Sequence, residues 1–164
     1  MLIGPRRAVL IGVIAAVAIT IILIPLIFTL NAPDFNKVDV RFSNVTITEP
    51  TQQNMQVRVV FTITNPTDVT ITTAKIDYEL FADGQSLGTH TKSYEDVPLN
   101  GRPAIFSQGS VPIPDDFTLS YDDKIASIYN KIKDNPGSIK WRASGTTEID
   151  STLTIATKDF NNGL

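Results

Sequence analysis

Residues 55–64 read MQVRVVFTIT, and every second side chain of this segment is apolar. The apolar series is Met55, Val57, Val59, Phe61 and Ile63. A period of two is typical of a β-strand with one face buried against a core. The segment ends at Asn65-Pro66, a turn signal in which proline fixes the backbone of the first corner. We therefore predict a half-buried strand here, the clearest one in the chain.

Segments on both sides continue the strand pattern. Upstream, residues 38–42 alternate in the same way, and a change of phase near Ser43-Asn44 predicts a β-bulge or a bend. Downstream, residues 70–81 alternate and end at Asp83-Gly84. This dipeptide favours a type I′ hairpin, because glycine adopts positive φ without steric cost. Residues 85–94 are then predicted to be the returning strand.

The pattern changes in the second half of the chain. Residues 104–113 are predicted to form a fifth strand that ends at Pro112 and Pro114. A helical stripe then follows, made of Ile125, Ile128, Tyr129 and Ile132 at helical spacing. Ser120 with Asp123 resembles a capping box at the start of this helix. Asn135-Pro136-Gly137 is predicted to end it.

Two final strands complete the prediction, one over residues 139–145 and one after a break near Asp150-Ser151. The pattern therefore predicts a mainly β fold, a β-sandwich of about seven strands with one helix inserted before the last two strands. We assign this domain to residues 38–160 and expect residues 161–164 to be a frayed tail. The absence of cysteine excludes disulfides, a thiol nucleophile and zinc sites built on cysteine.

Residues 8–30, AVLIGVIAAVAITIILIPLIFTL, carry no charge. As a helix this segment would be about 35 Å long, enough to cross a hydrocarbon core of about 30 Å. A helix also satisfies its own backbone hydrogen bonds, which lipid cannot do. The segment is therefore predicted to be a single transmembrane helix, and the lipid bilayer to be a partner of the chain.

Arg6 and Arg7 precede this helix, and positive residues remain in the cytoplasm. This places residues 1–7 inside, and residues 31–37 form a linker to a domain outside the cell membrane. A removable secretory signal is the first alternative, although its apolar region would be shorter. The second alternative rests on Arg7-Ala8-Val9-Leu10, which resembles the cleavage motif of archaeal type IV pilin and archaellum proteins.

Several motifs together resemble a known family. They are FTITNP at residues 61–66, IDYEL at 76–80, Asp83-Gly84, Leu87-Gly88 and IKWRASGT at 139–146. This set resembles the late-embryogenesis-abundant (LEA) type 2 domain, also called the water-stress-and-hypersensitive-response (WHy) domain.

The resemblance spans about residues 36–160. It implies a fibronectin-III/immunoglobulin-like sandwich, a role in stress tolerance, and in many members one N-terminal membrane helix. No catalytic residue belongs to the family pattern.

Reactive side chains are sparse and scattered. His90 is the only histidine, and neither Ser86 nor Ser93 lies in a nucleophile-elbow sequence, so we expect His90 to be an exposed strand residue.

The pairs Asp115-Asp116 and Asp122-Asp123 lack the glycine of a calcium loop and are interpreted as turn and helix-start residues. Trp141 is expected in the core, with ligand binding through an exposed ring as the alternative.

The chain carries a net charge of −3, and the part that follows residue 30 carries −5, which argues against nucleic acid as a partner. Asn44-Val45-Thr46 is an N-glycosylation acceptor sequence, so Asn44 is a candidate modification site.

We predict no catalytic residue, metal or cofactor. The predicted function is non-enzymatic, a binding or envelope-protective role outside the membrane. The alternative is a subunit of a membrane complex or of a pilus-type or archaellum-type filament.

Overall fold

A computed structural model describes residues 5–30, 34–151 and 154–164. The chain forms two compact units, Met1–Ala32 and Pro33–Leu164. The predicted linker at residues 31–37 falls partly on residues 31–33, which lie outside the described ranges. Its remaining part includes a single 3₁₀ turn, Phe35–Lys37, which Asp34 caps by accepting a hydrogen bond from the Asn36 backbone N–H at 3.2 Å.

The first unit contains one helix, α1, which spans Pro5–Leu30 and includes Pro25. It begins three residues before the predicted start. Within it, the window Val9–Leu26 has a mean hydropathy of 3.0, and the side chains of this window are exposed on every face of the helix. By length and composition, α1 is able to cross a membrane or to serve as a signal sequence.

The second unit is mainly β, and the prediction of a β-sandwich is confirmed. Its described elements are β1 (Asp39–Thr48), β2 (Asn54–Asn65), β3 (Ile71–Ala82), β4 (Gln85–Ser93), β5 (Ala104–Ile105), β6 (Gly109–Ser120), α2 (Ala126–Asp134), β7 (Trp141–Asp150) and β8 (Ile155–Gly163). One antiparallel sheet has the order β1-β2-β6. The other has the order β4-β3-β7-β8, with the short strand β5 also paired to β3. As predicted, the helix precedes the last two strands.

The two sheets enclose one apolar core. Phe61 of β2 lies at its centre and is fully buried. Its ring contacts Tyr78 and Phe160 of the opposite sheet edge to face, with centroid distances of 4.8 and 5.3 Å. Trp141 is 7% exposed, which confirms its predicted place in the core. The alternation at residues 55–64 therefore correctly predicted β2, the central strand of the three-stranded sheet.

Three predictions made from local sequence patterns are also confirmed. Asp83 and Gly84 have φ of +49° and +85°, the two positive values that a type I′ hairpin requires. The register of β1 on β2 shifts between Phe42 and Asn44, where a bulge or a bend was predicted. In α2, the predicted stripe is buried at Ile128, Tyr129 and Ile132.

The prediction of one strand over residues 104–113 was wrong. Residues 104–113 contain a two-residue strand, a turn, and the first part of β6, which continues through Pro112 and Pro114 to Ser120. Proline is tolerated in β6 because the strand is at the edge of its sheet, next to β2 alone. The two prolines are two residues apart, so both missing N–H groups fall on the side that faces away from β2.

Two further boundaries differ from the predictions. Ser120 ends β6 and does not cap a helix; the side chain of Asp122 accepts a hydrogen bond from the Lys124 N–H at 2.8 Å and caps a 3₁₀ turn at Asp123–Ile125. Residues 161–163 are not frayed, because β8 continues to Gly163 and pairs there with Arg142.

Candidate functional site

The predicted sequence features lie in separate parts of the molecule. Arg6 and Arg7 belong to the first turns of α1, and their side chains lie outside the described part of the structure. Asn44 is exposed in β1, beside the bulge that begins after Phe42. An exposed acceptor is open to modification, so Asn44 remains a predicted glycosylation site.

Side chains of three strands meet where the edges of the two sheets face each other. These are Tyr78 of β3, His90 and Lys92 of β4, and Asp115 and Phe117 of β6, which we call the edge cluster. The Tyr78 hydroxyl donates to Asp115 Oδ2 at 2.8 Å. Lys92 Nζ lies 3.9 Å from Asp115 Oδ1. The His90 ring stacks on Phe117 at a centroid distance of 3.7 Å.

Burial sets the protonation of the edge cluster. The pKa of Tyr78 is raised far above its ordinary value, first by burial and then by the hydrogen bond to Asp115, so the phenol keeps its proton. The pKa of His90 is lowered by burial, which outweighs the opposing charge of Asp115. His90 Nε2 is buried and has no hydrogen-bond partner among the described residues. The ring is therefore neutral near pH 7, and the prediction that His90 is exposed was wrong.

The arrangement around His90 does not form a nucleophilic triad in the described part of the structure. The Ser86 hydroxyl donates to Glu79 Oε1 at 2.5 Å, and the Ser93 hydroxyl donates to Glu95 Oε2 at 3.2 Å. Neither serine is hydrogen bonded to the imidazole, which a general base for a serine nucleophile would need. Among the described residues, no group of three or more histidine or acidic side chains is placed to hold a metal ion.

The four aspartates have different roles. Asp122 and Asp123 lie at the start of the helical segment, as predicted. Asp115 and Asp116 are instead in the middle of β6, so their interpretation as turn residues was wrong. The sequence did contain a signal: odd-numbered residues 111–119 face inward, and Asp115 occupies an inward position among apolar residues. An acidic residue at such a position predicts a buried hydrogen-bond partner.

No family model and no curated protein matches the chain. A solution structure of an Arabidopsis thaliana protein is 11% identical, with a TM-score of 0.52, over 76% of this chain and 79% of that one. A crystal structure of an Archaeoglobus fulgidus protein is 10% identical, with a TM-score of 0.43, over 81% and 94% of the two chains.

A further solution structure, provisionally described as a late embryogenesis abundant (LEA) protein, is 15% identical, with a TM-score of 0.40, over 97% of this chain and 86% of that one. The Arabidopsis thaliana structure with the TM-score of 0.52 is similar in fold alone, and a shared fold does not determine a function.

Proposed function

We propose that the chain is a single-pass membrane protein that displays an LEA type 2-like β-sandwich outside the cell. Its role is non-enzymatic, either binding or protection of the envelope under stress. The observation that supports this proposal is α1, whose window Val9–Leu26 is apolar and exposed on every face. An isolated helix of this kind is stable in lipid and would aggregate in water.

The side chains of the domain support a role without catalysis. Its one histidine is packed between aromatic rings, and within the described ranges no nucleophile is hydrogen bonded to it. The buried aspartate of the edge cluster, Asp115, is hydrogen bonded to Tyr78. These groups contribute to packing between the sheets. A catalytic acid or base would instead have to lie within hydrogen-bond distance of a substrate.

Single-cysteine labelling tests the orientation, because the chain has no cysteine of its own. Thr157→Cys places a thiol on an exposed position of β8, and Leu2→Cys places one before α1. A membrane-impermeant maleimide added to intact cells should label T157C at once. It should label L2C only after the cells are permeabilised. The opposite pattern would reverse the orientation, and protection of both sites in intact cells would overturn surface display.

A second candidate is a subunit of a membrane complex or of a pilus-type or archaellum-type filament. It is favoured by Arg7-Ala8-Val9-Leu10 together with a helix that is apolar on all sides, since such a helix packs equally well against other helices. Mass spectrometry of the mature N-terminus separates the two candidates. A start at Ala8 or Val9 favours the filament subunit, and an intact N-terminus favours the single-pass anchor.

A further inference from the structure

In the described part of the β domain, three large apolar side chains are exposed at one end of the sandwich. They are Leu99, Phe106 and Ile155, each with half or more of its surface in solvent. Ile155 begins β8 and pairs with Asp150, the last residue of β7. Leu99 and Asp150 lie on the walls of one cavity at this end of the sheet. We call the three residues Leu99, Phe106 and Ile155 the apolar end.

Phe106 belongs to this end because of the residues on either side of the turn that follows β5. Ile105 pairs with Ile71, the first residue of β3, so Phe106 lies just beyond the end of the five-stranded sheet. The Asn65 amide nitrogen donates to the Phe106 carbonyl at 3.2 Å, and Asn65 is the last residue of β2. The ends of both sheets therefore meet at the apolar end.

The chain also enters the domain at this end. β1 begins at Asp39, which pairs with Thr64, next to the end of β2. The 3₁₀ turn Phe35–Lys37 precedes β1 and contacts β8, where Lys158 Nζ donates to the Asn36 carbonyl at 2.8 Å. The first described residues of the domain therefore lie at the same end of the sandwich as the three exposed apolar side chains.

The length of the linker limits which part of the domain can approach a bilayer. α1 ends at Leu30, and the first described residue of the domain is Asp34. Four residues of fully extended chain span at most about 14 Å. β2 has 12 residues and is about 40 Å long, so the opposite end of the domain is much farther from the chain entry than the linker can reach. Of the two ends, the linker therefore brings the apolar one to the lipid that would surround α1.

The charges at this end restrict the kind of lipid. Asp68, in the turn between β2 and β3, is exposed, and so are Glu95 and Asp96, which follow β4. Arg102, in the same segment, is paired with Asp150. Anionic headgroups would be repelled by the three exposed carboxylates, whereas removal of apolar surface from water needs no charge. A bilayer of neutral lipid therefore suits this surface best.

We propose that the apolar end is a docking surface for the bilayer interface, into which Leu99, Phe106 and Ile155 insert. Single exposed apolar residues are common on protein surfaces, whereas a group of them indicates a contact site for a protein or a membrane. Docking holds the domain in one orientation on the lipid, where a linker alone would let it rotate. The inference rests on the proposed function, in which α1 crosses the membrane.

The test uses the full-length protein in phosphatidylcholine nanodiscs that hold one copy each, with leucine and isoleucine methyl groups labelled for NMR. Part of the lipid carries a nitroxide near the top of its acyl chain, the depth that interfacial apolar side chains reach. The nitroxide should broaden the methyl signals of Leu99 and Ile155. Leu164 is the matched control, because it is 52% exposed and lies at the opposite end, where its N–H donates to the Trp141 carbonyl. Its signal should stay sharp.

Variants separate docking from the effect of the linker alone. Phe106→Ser combined with Ile155→Ser should lower the ratio of docked to free domain about tenfold or more, because two large side chains no longer leave water on docking. The broadening of Leu99 should fall accordingly. Both positions are exposed, so the fold should be retained. Leu164→Ser removes an exposed apolar side chain from the opposite end and should leave the broadening of Leu99 unchanged.

Leu23 of α1 shows whether the helix itself is inserted. Broadening of Leu23 without broadening of Leu99 and Ile155 would overturn the docking surface and leave the proposed function intact. Sharp signals at all three positions would overturn both.

Three further results would overturn the docking surface alone. Equal broadening of Leu99 in the wild type and in the double variant would mean that the linker by itself holds this end near lipid. Stronger broadening after addition of anionic lipid would mean that basic side chains attract the domain. Shifts of Leu99 and Ile155 that depend on protein concentration in detergent, without broadening in nanodiscs, would assign the apolar end to contact between two copies of the chain.

Discussion

The Tyr78 hydroxyl donates to Asp115 Oδ2 at 2.8 Å, and this bond joins the five-stranded sheet to the edge strand of the three-stranded sheet. Both residues are buried. A buried carboxylate is costly unless its oxygens are hydrogen bonded, so Asp115 depends on this phenol and on the more distant Lys92. The bond therefore stabilises one particular packing of the two sheets.

Tyr78→Phe should lower the free energy of unfolding by about 1–3 kcal/mol, because Asp115 Oδ2 loses its donor and stays buried. The single tryptophan, Trp141, is buried in this domain and reports its urea unfolding by fluorescence in the full-length, detergent-solubilised protein. Tyr121→Phe is the matched control, since Tyr121 is 42% exposed, and should change stability by less than about 0.5 kcal/mol. Equal stability of the two variants would contradict a role for the Tyr78–Asp115 bond.

Asn65→Asp should destabilise the domain by about 3 kcal/mol or more. The Asn65 amide nitrogen donates to the Val69 carbonyl at 2.7 Å and to the Ile105 carbonyl at 3.0 Å, while its oxygen accepts from the Thr67 hydroxyl at 2.6 Å. Aspartate has the same shape but would place a buried charge against two carbonyl oxygens.

The control for this prediction is Asn130→Asp, the same change on an exposed position of α2. It should alter stability by less than about 0.5 kcal/mol. If N65D unfolded at the same urea concentration as the wild type, the hydrogen bonds of Asn65 would not be holding the turn that follows β2.

The stability of the domain should fall as the pH is lowered below about 6.5, and His90 should cause part of this fall. Burial lowers the pKa of His90 in the folded state, so the unfolded chain binds the proton first. Protonation therefore favours unfolding from the ordinary pKa of histidine down to the lowered pKa of the folded state, and His90 contributes no pH dependence above that range.

The measurement compares the wild type with His90→Phe in urea at about pH 7.5 and pH 5. Phenylalanine keeps the stacking on Phe117 and cannot titrate. The loss of stability between the two pH values should be smaller in H90F. The other titratable groups are common to both proteins, so an equal loss in both would show that folding does not lower the pKa of His90.

Much of the fold follows from local patterns. The alternation at residues 55–64 predicts β2, and Asp83-Gly84 predicts the hairpin, because both depend on neighbouring residues alone. The stripe of α2 is equally local, since Ile128 and Ile132 lie one turn apart. These features could be predicted without knowing which elements pack together.

The errors concern properties that depend on distant residues. Proline ended the predicted fifth strand, but Pro112 and Pro114 are tolerated because β6 has a neighbour on one side only, which depends on the order of the strands. The pairing of Thr72 with Asp150 could not be predicted either, because these two residues become adjacent only when β3 pairs with β7. Both properties depend on residues that are far apart in the sequence, so local patterns do not predict them.

Asn162 lies in the segment that was predicted to be a frayed tail, and its side chain is hydrogen bonded to β1. Its side-chain oxygen accepts from the Phe42 backbone N–H at 2.6 Å, and its amide nitrogen donates to the Val40 carbonyl at 2.9 Å. These two backbone groups belong to β1, the edge strand of the three-stranded sheet, so Asn162 closes an edge that would otherwise be unpaired.

Asn162→Ala should therefore accelerate hydrogen exchange at the Phe42 amide and lower the free energy of unfolding by about 1–3 kcal/mol, because two partly buried backbone groups lose their partners. NMR exchange rates on the full-length protein measure the first effect, and urea unfolding measures the second. Asn161→Ala, at the exposed neighbouring position, removes only a contact from Arg142 and should leave the Phe42 amide protected. Unchanged protection in N162A would contradict this role of Asn162. It would favour the prediction of a frayed tail, because the side chain of a frayed residue does not stay hydrogen bonded and cannot protect an amide from exchange.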